Sequence, residues 1–344
     1  MNKKLWIVFF IAICLILAMP IASTAKTVTL SFTTQNPETG WGQVETLKPW
    51  IAKIEKAANG KLKFNVYYSQ TLAKGPDTWN AVKTGIADSG WCFHGYWSGM
   101  TSLSDVVSLP SIPFKTAEEI SGAFWKLYEK FPTLRDQYKE NHIVLVYTSN
   151  PYILITTKKQ VKTMEDIKGL KIRMMGGPST EQMKALGGVP VSVPMPDNYI
   201  ALQKGVTDGM GAPWEAVLSF RLYEVVKYYT EGTPFPAVYF SIAFNKNKWD
   251  SLPKDIQDAI TKYSGYEGSK WWGKTWFDLP REATIKKAKE SGHEMNLYEL
   301  TDAERDRWLE VGGKPIWNDW LKKMKDAGHP EAKEILDALL SMKK

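Results

Sequence analysis

The strongest constraint on the fold is an order of elements that occurs twice. From Thr27, an apolar strand-like run at 28–33 is followed by a helix-like stretch at 41–58 that Asn59-Gly60 terminates, then by a second strand at 62–68. Pro76-Asp77 opens a short helix ending at Gly85, and 86–93 reads as a third strand rich in aromatic residues. After residue 169 the order returns: strand 170–175, helix 179–186, strand 189–193, helix 197–204, strand 206–210. In this second unit Ser179 and Gln182 have the spacing of a capping box, and Gly187-Gly188 stops the helix. Local wording repeats too, since Ala81-Val82-Lys83-Thr84-Gly85-Ile86-Ala87-Asp88 can be laid over Ala201-Leu202-Gln203-Lys204-Gly205-Val206-Thr207-Asp208. Two similar α/β lobes follow, each a mostly parallel sheet with helices on both faces.

Between the units, apolar runs at 143–148 and 153–157 flank Ser149-Asn150-Pro151, where the chain passes from one lobe to the other. A further β-like run at 237–244, after Pro234-Phe235-Pro236, supplies a second crossing. Two crossings make a hinge with a cleft between the lobes. The expected organisation is a first lobe over 26–150 to which 236–255 returns, and a second over 151–235. Helices over 256–344 then pack across both, with Trp271, Trp272 and Trp276 as packing residues.

The compartment is set by the first residues. Lys3 and Lys4 precede an uncharged apolar run at 5–18, and Ser23 and Ala25 follow as small residues, the three-part pattern of a secretory signal cleaved after Ala25. That run is short for a bilayer span, which needs about 20 residues. Cys14 lies inside it behind Ile13, which does not match a lipid-attachment signal. Cleavage leaves Cys92 alone, so no internal disulfide is expected, and stability must come from the core that 44% apolar residues can build. The net charge of +7 less Lys3 and Lys4 gives +5, a weak bias toward anionic ligands. The lysines are interleaved with acids, as over 282–290, which points to solvated helix faces and away from nucleic acid.

In open α/β sheets ligands bind beyond the carboxyl ends of the strands. The rule selects Gln35 and Asn36, Ser69 and Gln70, and 91–96 in the first lobe; it selects 173–177, 194–197 and 210–214 in the second. Arg173 stands out because it occupies an apolar strand, beside Ile172, Met174 and Met175, that leads into Gly176-Gly177, whose glycines let the chain approach a ligand closely. A guanidinium fork matches a carboxylate with two parallel hydrogen bonds, and a buried one demands a partner.

These residues carry a resemblance. Lys168-Gly169-Leu170-Lys171-Ile172-Arg173, Ala185-Leu186-Gly187-Gly188-Val189-Pro190-Val191 and the segment from Tyr199 to Gly209 are similar to the solute-binding subunit of tripartite ATP-independent periplasmic (TRAP) transporters, of the dicarboxylate-receptor type. The resemblance implies two lobes, a long helix lying across both, closure on a carboxylate gripped by Arg173, and small and large membrane subunits that move the ligand on an ion gradient. Two positions depart from it. Tyr152 stands about where sialic-acid and dicarboxylate members carry a second arginine, and Ala212 stands where they show an asparagine before proline. A pocket with one carboxylate anchor and with Tyr152, Met195, Trp91 and Trp214 favours an aromatic or hydrophobic monocarboxylate, such as a 2-oxo or hydroxy acid. The rival is a C4-dicarboxylate with Asn150, His94 or Gln35 holding its distal end.

Enzyme readings find little. Gly95-Tyr96-Trp97-Ser98-Gly99 lacks the spacing of a nucleophile elbow, Cys92 and His94 are too few for a structural zinc site, and Gly176-Gly177-Pro178 lacks the lysine of a phosphate loop. No cofactor or metal is expected. A sensory protein that binds the same ligand without transport is the remaining alternative.

Overall fold

The computed structural model describes residues 27–343; the expected signal segment and Cys14 lie outside the described residues. The first sheet contains β1 (Val28–Thr33), β2 (Leu62–Tyr67), β3 (Ser89–Phe93) and β4 (His142–Thr148). The second contains β5 (Ile153–Thr156), β6 (Lys171–Arg173), β7 (Val189–Val191), β8 (Gly209–Ala212) and β9 (Tyr228–Glu231). Then β10 (Tyr239–Phe244) returns to the first sheet, and β11 (Asn296–Glu299) extends the second.

The sheet orders, β2-β1-β3-β10-β4 and β7-β6-β8-β5-β9-β11, are the same plan used twice. In each, three parallel strands are followed by one antiparallel strand supplied from the other half of the chain: β10 pairs antiparallel with β3 and β4, and β5 with β8 and β9. These two are the expected crossings. Every residue of β3, β8 and β10 is buried, as suits strands covered on both faces.

Several boundaries differ from expectation for local reasons. The third strand of each unit begins three residues later, because Gly85 and Gly205 turn the chain with φ of +79° and +70°. The residues after them close hydrogen bonds back to the preceding helix, Ala87 N–H to the Ala81 carbonyl and Val206 N–H to the Ala201 carbonyl. Ile86 and Val206 are therefore 62% and 51% exposed, where a strand reading would have buried them. The Ser179–Gln182 capping box does not form. Its helix starts at Gly177 with Pro178 in the first turn, so Ser179 already lies inside it, and Gln182 donates instead to the Pro234 carbonyl. Strand β9 carries no clear alternation and β11, whose burial alternates, is only four residues long; both escape a sequence reading.

In the helical region expected from residue 256 on, the chain first breaks at Tyr263-Ser264, between helices Lys254–Thr261 and Gly265–Gly273. The second of these runs on through a π-helical turn, Lys274–Asp278, and after a bend at Leu279 continues as Pro280–Glu290. Both the π turn and Pro280 are recognised causes of helix bending. The long helix packs on the helix Ala117–Lys130 of the first lobe and on Trp214–Ser219 of the second. Trp272 and Trp276 are fully buried along it, Trp50 edge-on to Trp272 at 5.5 Å and the two stacked at 5.3 Å.

Gly273 permits the closest approach in this packing. A Cβ there would lie 2.5 Å from the Ala117 carbonyl oxygen, a backbone atom that cannot rotate away. Gly273→Ala is therefore expected to destabilise the protein by about 1–3 kcal/mol, although alanine gains about 1 kcal/mol over glycine in an open helix. A denaturant melt checks the sign; an unchanged or raised midpoint would mean the helices separate readily.

Candidate ligand-binding cleft

Between the sheets lies a cavity with about 390 Å³ of atom-free space, mouth included. The first lobe lines it with Gln35 and Asn36 beyond β1, with Trp91 and Phe93 of β3, and with Phe240 of β10. The second contributes Tyr152 before β5, Arg173 at the end of β6, Met195 beyond β7 and Met210 of β8, and then Pro213, Glu215, Ala216 and Phe220. Phe277 of the long helix completes it.

Arg173 is 2% exposed. Its Nε donates to the Val193 carbonyl at 3.0 Å, and its buried Nη2 has no hydrogen-bond partner among the described residues. No carboxylate lies within ion-pair distance of it among the described residues. A buried charge without a counter-ion is costly by several kcal/mol. The Tyr152 phenol beside it is pushed up by burial, with the guanidinium pulling the other way.

The opposite wall is aromatic. Trp91 lies 4.8 Å from Phe240, Phe240 lies 5.1 Å from Phe277 at 25° between planes, and Trp276 stacks behind Trp91 at 5.6 Å. The Trp91 indole nitrogen is buried without a partner among the described residues. Across the mouth, the Tyr96 hydroxyl accepts from the Met195 amide at 2.9 Å and donates to Gln35 Oε1 at 2.7 Å, tying one lobe to the other.

Three sequence candidates lie elsewhere. Side chains alternate along β3, so Trp91 and Phe93 face the cavity while Cys92 and His94 face the other way. His94 sits 2.8 Å from Ser241 Oγ and 3.2 Å from Thr101 Oγ1, stacked on Tyr239, and burial lowers its pKa to about 3, which keeps it neutral. Trp214 stacks on Tyr229 at 5.5 Å and donates to Glu231, inside the second lobe. Asn150 donates to the Phe277 carbonyl at 3.3 Å, holding the crossing against the long helix. Nor do the glycines touch the cavity: Gly176 makes the turn at φ +93°, and Gly177 faces Asp105 of the first lobe.

Glu215 was missed. It stands one residue beyond the strand-end window, and the signal for it is a lone carboxylate in the apolar stretch from Met210 to Leu218. It is 4% exposed, and Ser219 Oγ donates to its Oε1 at 2.6 Å while accepting from the Trp41 amide of the first lobe at 2.9 Å. Burial raises its pKa to about 7, against the pull of Ser219, the Trp276 indole and the Gly42 amide. Among the described residues no cluster of three or more His, Cys, Asp or Glu could hold a metal.

A lone guanidinium in an aromatic cleft between two lobes is a receptor's geometry, and comparison with known proteins agrees. Residues 34–323 match the family model for bacterial extracellular solute-binding protein, family 7. The chain belongs to this family. A TRAP solute-binding protein from Rhodoferax ferrireducens, solved with copurified benzoate, is 26% identical with a TM-score of 0.86, covering 92% of this chain and 97% of that one. Another from Bordetella bronchiseptica, with bound (R)- and (S)-mandelate, is 29% identical with a TM-score of 0.83 over 92% and 98%. The C4-dicarboxylate-binding periplasmic protein of Rhodobacter capsulatus is 26% identical over 87% of this chain and 89% of its own. This family 7 chain is thus a TRAP-type solute-binding protein, a transport receptor and not an enzyme.

The raised carboxyl of Glu215 gives a stability test. Between its ordinary value of 4.5 and about 7 the folded protein holds a proton that the unfolded chain releases, so this group's contribution is full below 4.5 and is lost as pH rises through 7. The interval corresponds to on the order of 3 kcal/mol. Glu215→Gln should remove it, so the melting temperature of the variant relative to the parent should climb by several degrees from pH 5 to pH 8. A difference that stays flat would place the titration elsewhere.

Proposed function

We propose that this receptor captures an aromatic or otherwise hydrophobic monocarboxylate and delivers it to a TRAP transporter. The observation that carries the reading is the unpartnered Nη2 of buried Arg173 inside an aromatic cavity. The ligand carboxylate takes that nitrogen, the Tyr152 hydroxyl lies beside the pair, and Trp91, Phe240 and Phe277 hold the body of the ligand by ring contacts. Gln35, Asn36 and Met195 close its remaining sides. Relatives solved with benzoate and with mandelate support the ligand class.

A C4-dicarboxylate is less well served. No Lys or Arg besides Arg173 lines the cavity among the described residues, and of the three distal candidates Gln35 alone reaches it. Ala212, in the asparagine position, is a buried strand residue opposite Ile153. The lobes divide at 149–152 and 232–238, the two segments that join the sheets, and opening there frees the ligand. The protein works in the periplasm after loss of residues 1–25, with a small and a large membrane subunit as partners and an ion gradient as the driving force.

A thermal-shift series with benzoate, mandelate, phenylacetate, succinate and malate tests this, since a ligand that binds only the native state raises its stability. The aromatic acids should raise the melting temperature and the dicarboxylates should not; the reverse pattern would overturn the ligand class. Arg173→Ala should weaken binding by more than about 100-fold, because it removes one partner of a buried pair. Retained affinity would remove Arg173 as the anchor.

A further inference from the structure

We infer that Glu215 is a specificity-determining residue that accepts a hydrogen bond from a donor group, hydroxyl or ammonium, carried by the bound acid in addition to its carboxylate. The inference rests on the aromatic-acid reading above and narrows it. Apart from Arg173, Glu215 is the charged side chain of the cavity lining, and the remainder is aromatic, aliphatic or amide except for the Tyr152 phenol. The two do not pair with each other, since no ion pair joins them within 4.0 Å. A molecule filling the space therefore meets an obligate donor at Arg173 and, above about pH 7 where the raised carboxyl of Glu215 is ionised, an acceptor.

The acceptor is not used up by the protein. An ionised carboxylate offers about four lone-pair sites, and Ser219 fills one, at Oε1. The Trp276 indole and Gly42 amide lie near enough to pull on the group, but neither closes a hydrogen bond among the described residues. Ser219 itself is satisfied by any acceptor, because its oxygen already receives the Trp41 amide. A purely structural latch between the lobes thus needs no acid here. Glu215 is nevertheless held 4% exposed in a lining that includes Phe220, Phe277 and Met210, where a carboxyl short of hydrogen bonds is costly. A site with a buried group made to hydrogen-bond a ligand discriminates against the analogue lacking that bond, because the group is then left unpaired.

The test pairs acids that differ by one donor: benzoate with its 2-, 3- and 4-hydroxy isomers, phenylacetate with mandelate, and 3-phenylpropanoate with phenylalanine, by calorimetry on the purified protein at pH 8, where Glu215 is ionised. At least one donor-bearing acid should bind about tenfold or more tightly than its partner, and Glu215→Leu should collapse that ratio toward one. Glu215→Gln, which keeps the shape and an amide oxygen, should retain a preference for a hydroxyl and lose one for an ammonium, which separates the two donor sources. A wild type indifferent to the added donor, or a Leu variant that weakens both members of each pair equally, would overturn the inference while leaving the monocarboxylate reading intact. If no aromatic acid binds the wild type at all, the underlying reading fails and takes this one with it.

Discussion

Each sheet of this protein is completed by a strand from the other half of the chain, and most of the architecture follows from that exchange. β5 enters the second sheet directly from β4 of the first, and β10 returns directly from β9. Because both exchanged strands run antiparallel and are hydrogen-bonded on both sides, neither lobe can be removed without opening the other's sheet. The covalent links between the lobes are thereby short and fixed at one side of the cleft, leaving the carboxyl ends of the parallel strands to face each other. The long helix from Gly265 to Glu290 spans the same side, and its bend at the π turn and Pro280 lets it follow both lobes.

The cleft inherits its chemistry from this placement. β6 ends with Arg173 pointing into a space that β3 and β10 have lined with rings, so a single cation meets an apolar wall. Low local polarity strengthens whatever hydrogen bond the guanidinium makes and makes its absence costly. The same environment acts on the acids and the phenol: burial raises Glu215 and pushes Tyr152 up. The buried guanidinium and most of the aromatic wall come from different lobes.

The repeated order of elements and the strand-end rule made much of this legible. Gln35, Asn36, Arg173 and Met195 line the cavity because each sits at or beyond a strand's carboxyl end, a position readable from punctuation; Trp91 faces it from within β3, and Tyr152, which precedes β5, is singled out through the family resemblance. His94 failed because residue numbering within a strand does not tell which face is which; its neighbour Trp91 took the cavity side. Trp214 failed because the chain turns into a helix after Pro213, which swings residue 214 inward and residue 215 to the cleft. Phe240 and Phe277 come from elements distant in sequence, and only the strand exchange and the bent helix bring them in. The false capping box shows the reverse case, a local motif overridden when Pro178 sets the helix start.

The stacking behind the cavity has an optical consequence. Trp91, Trp276, Trp272 and Trp50 form a chain of indoles at 5.6, 5.3 and 5.5 Å from the cleft wall into the core of the first lobe. At such separations the excited states of neighbouring rings couple, so the near-ultraviolet dichroism and the emission of the whole row respond to what touches its outermost member. The protein carries a built-in spectroscopic reporter whose outermost ring, Trp91, belongs to the cavity wall.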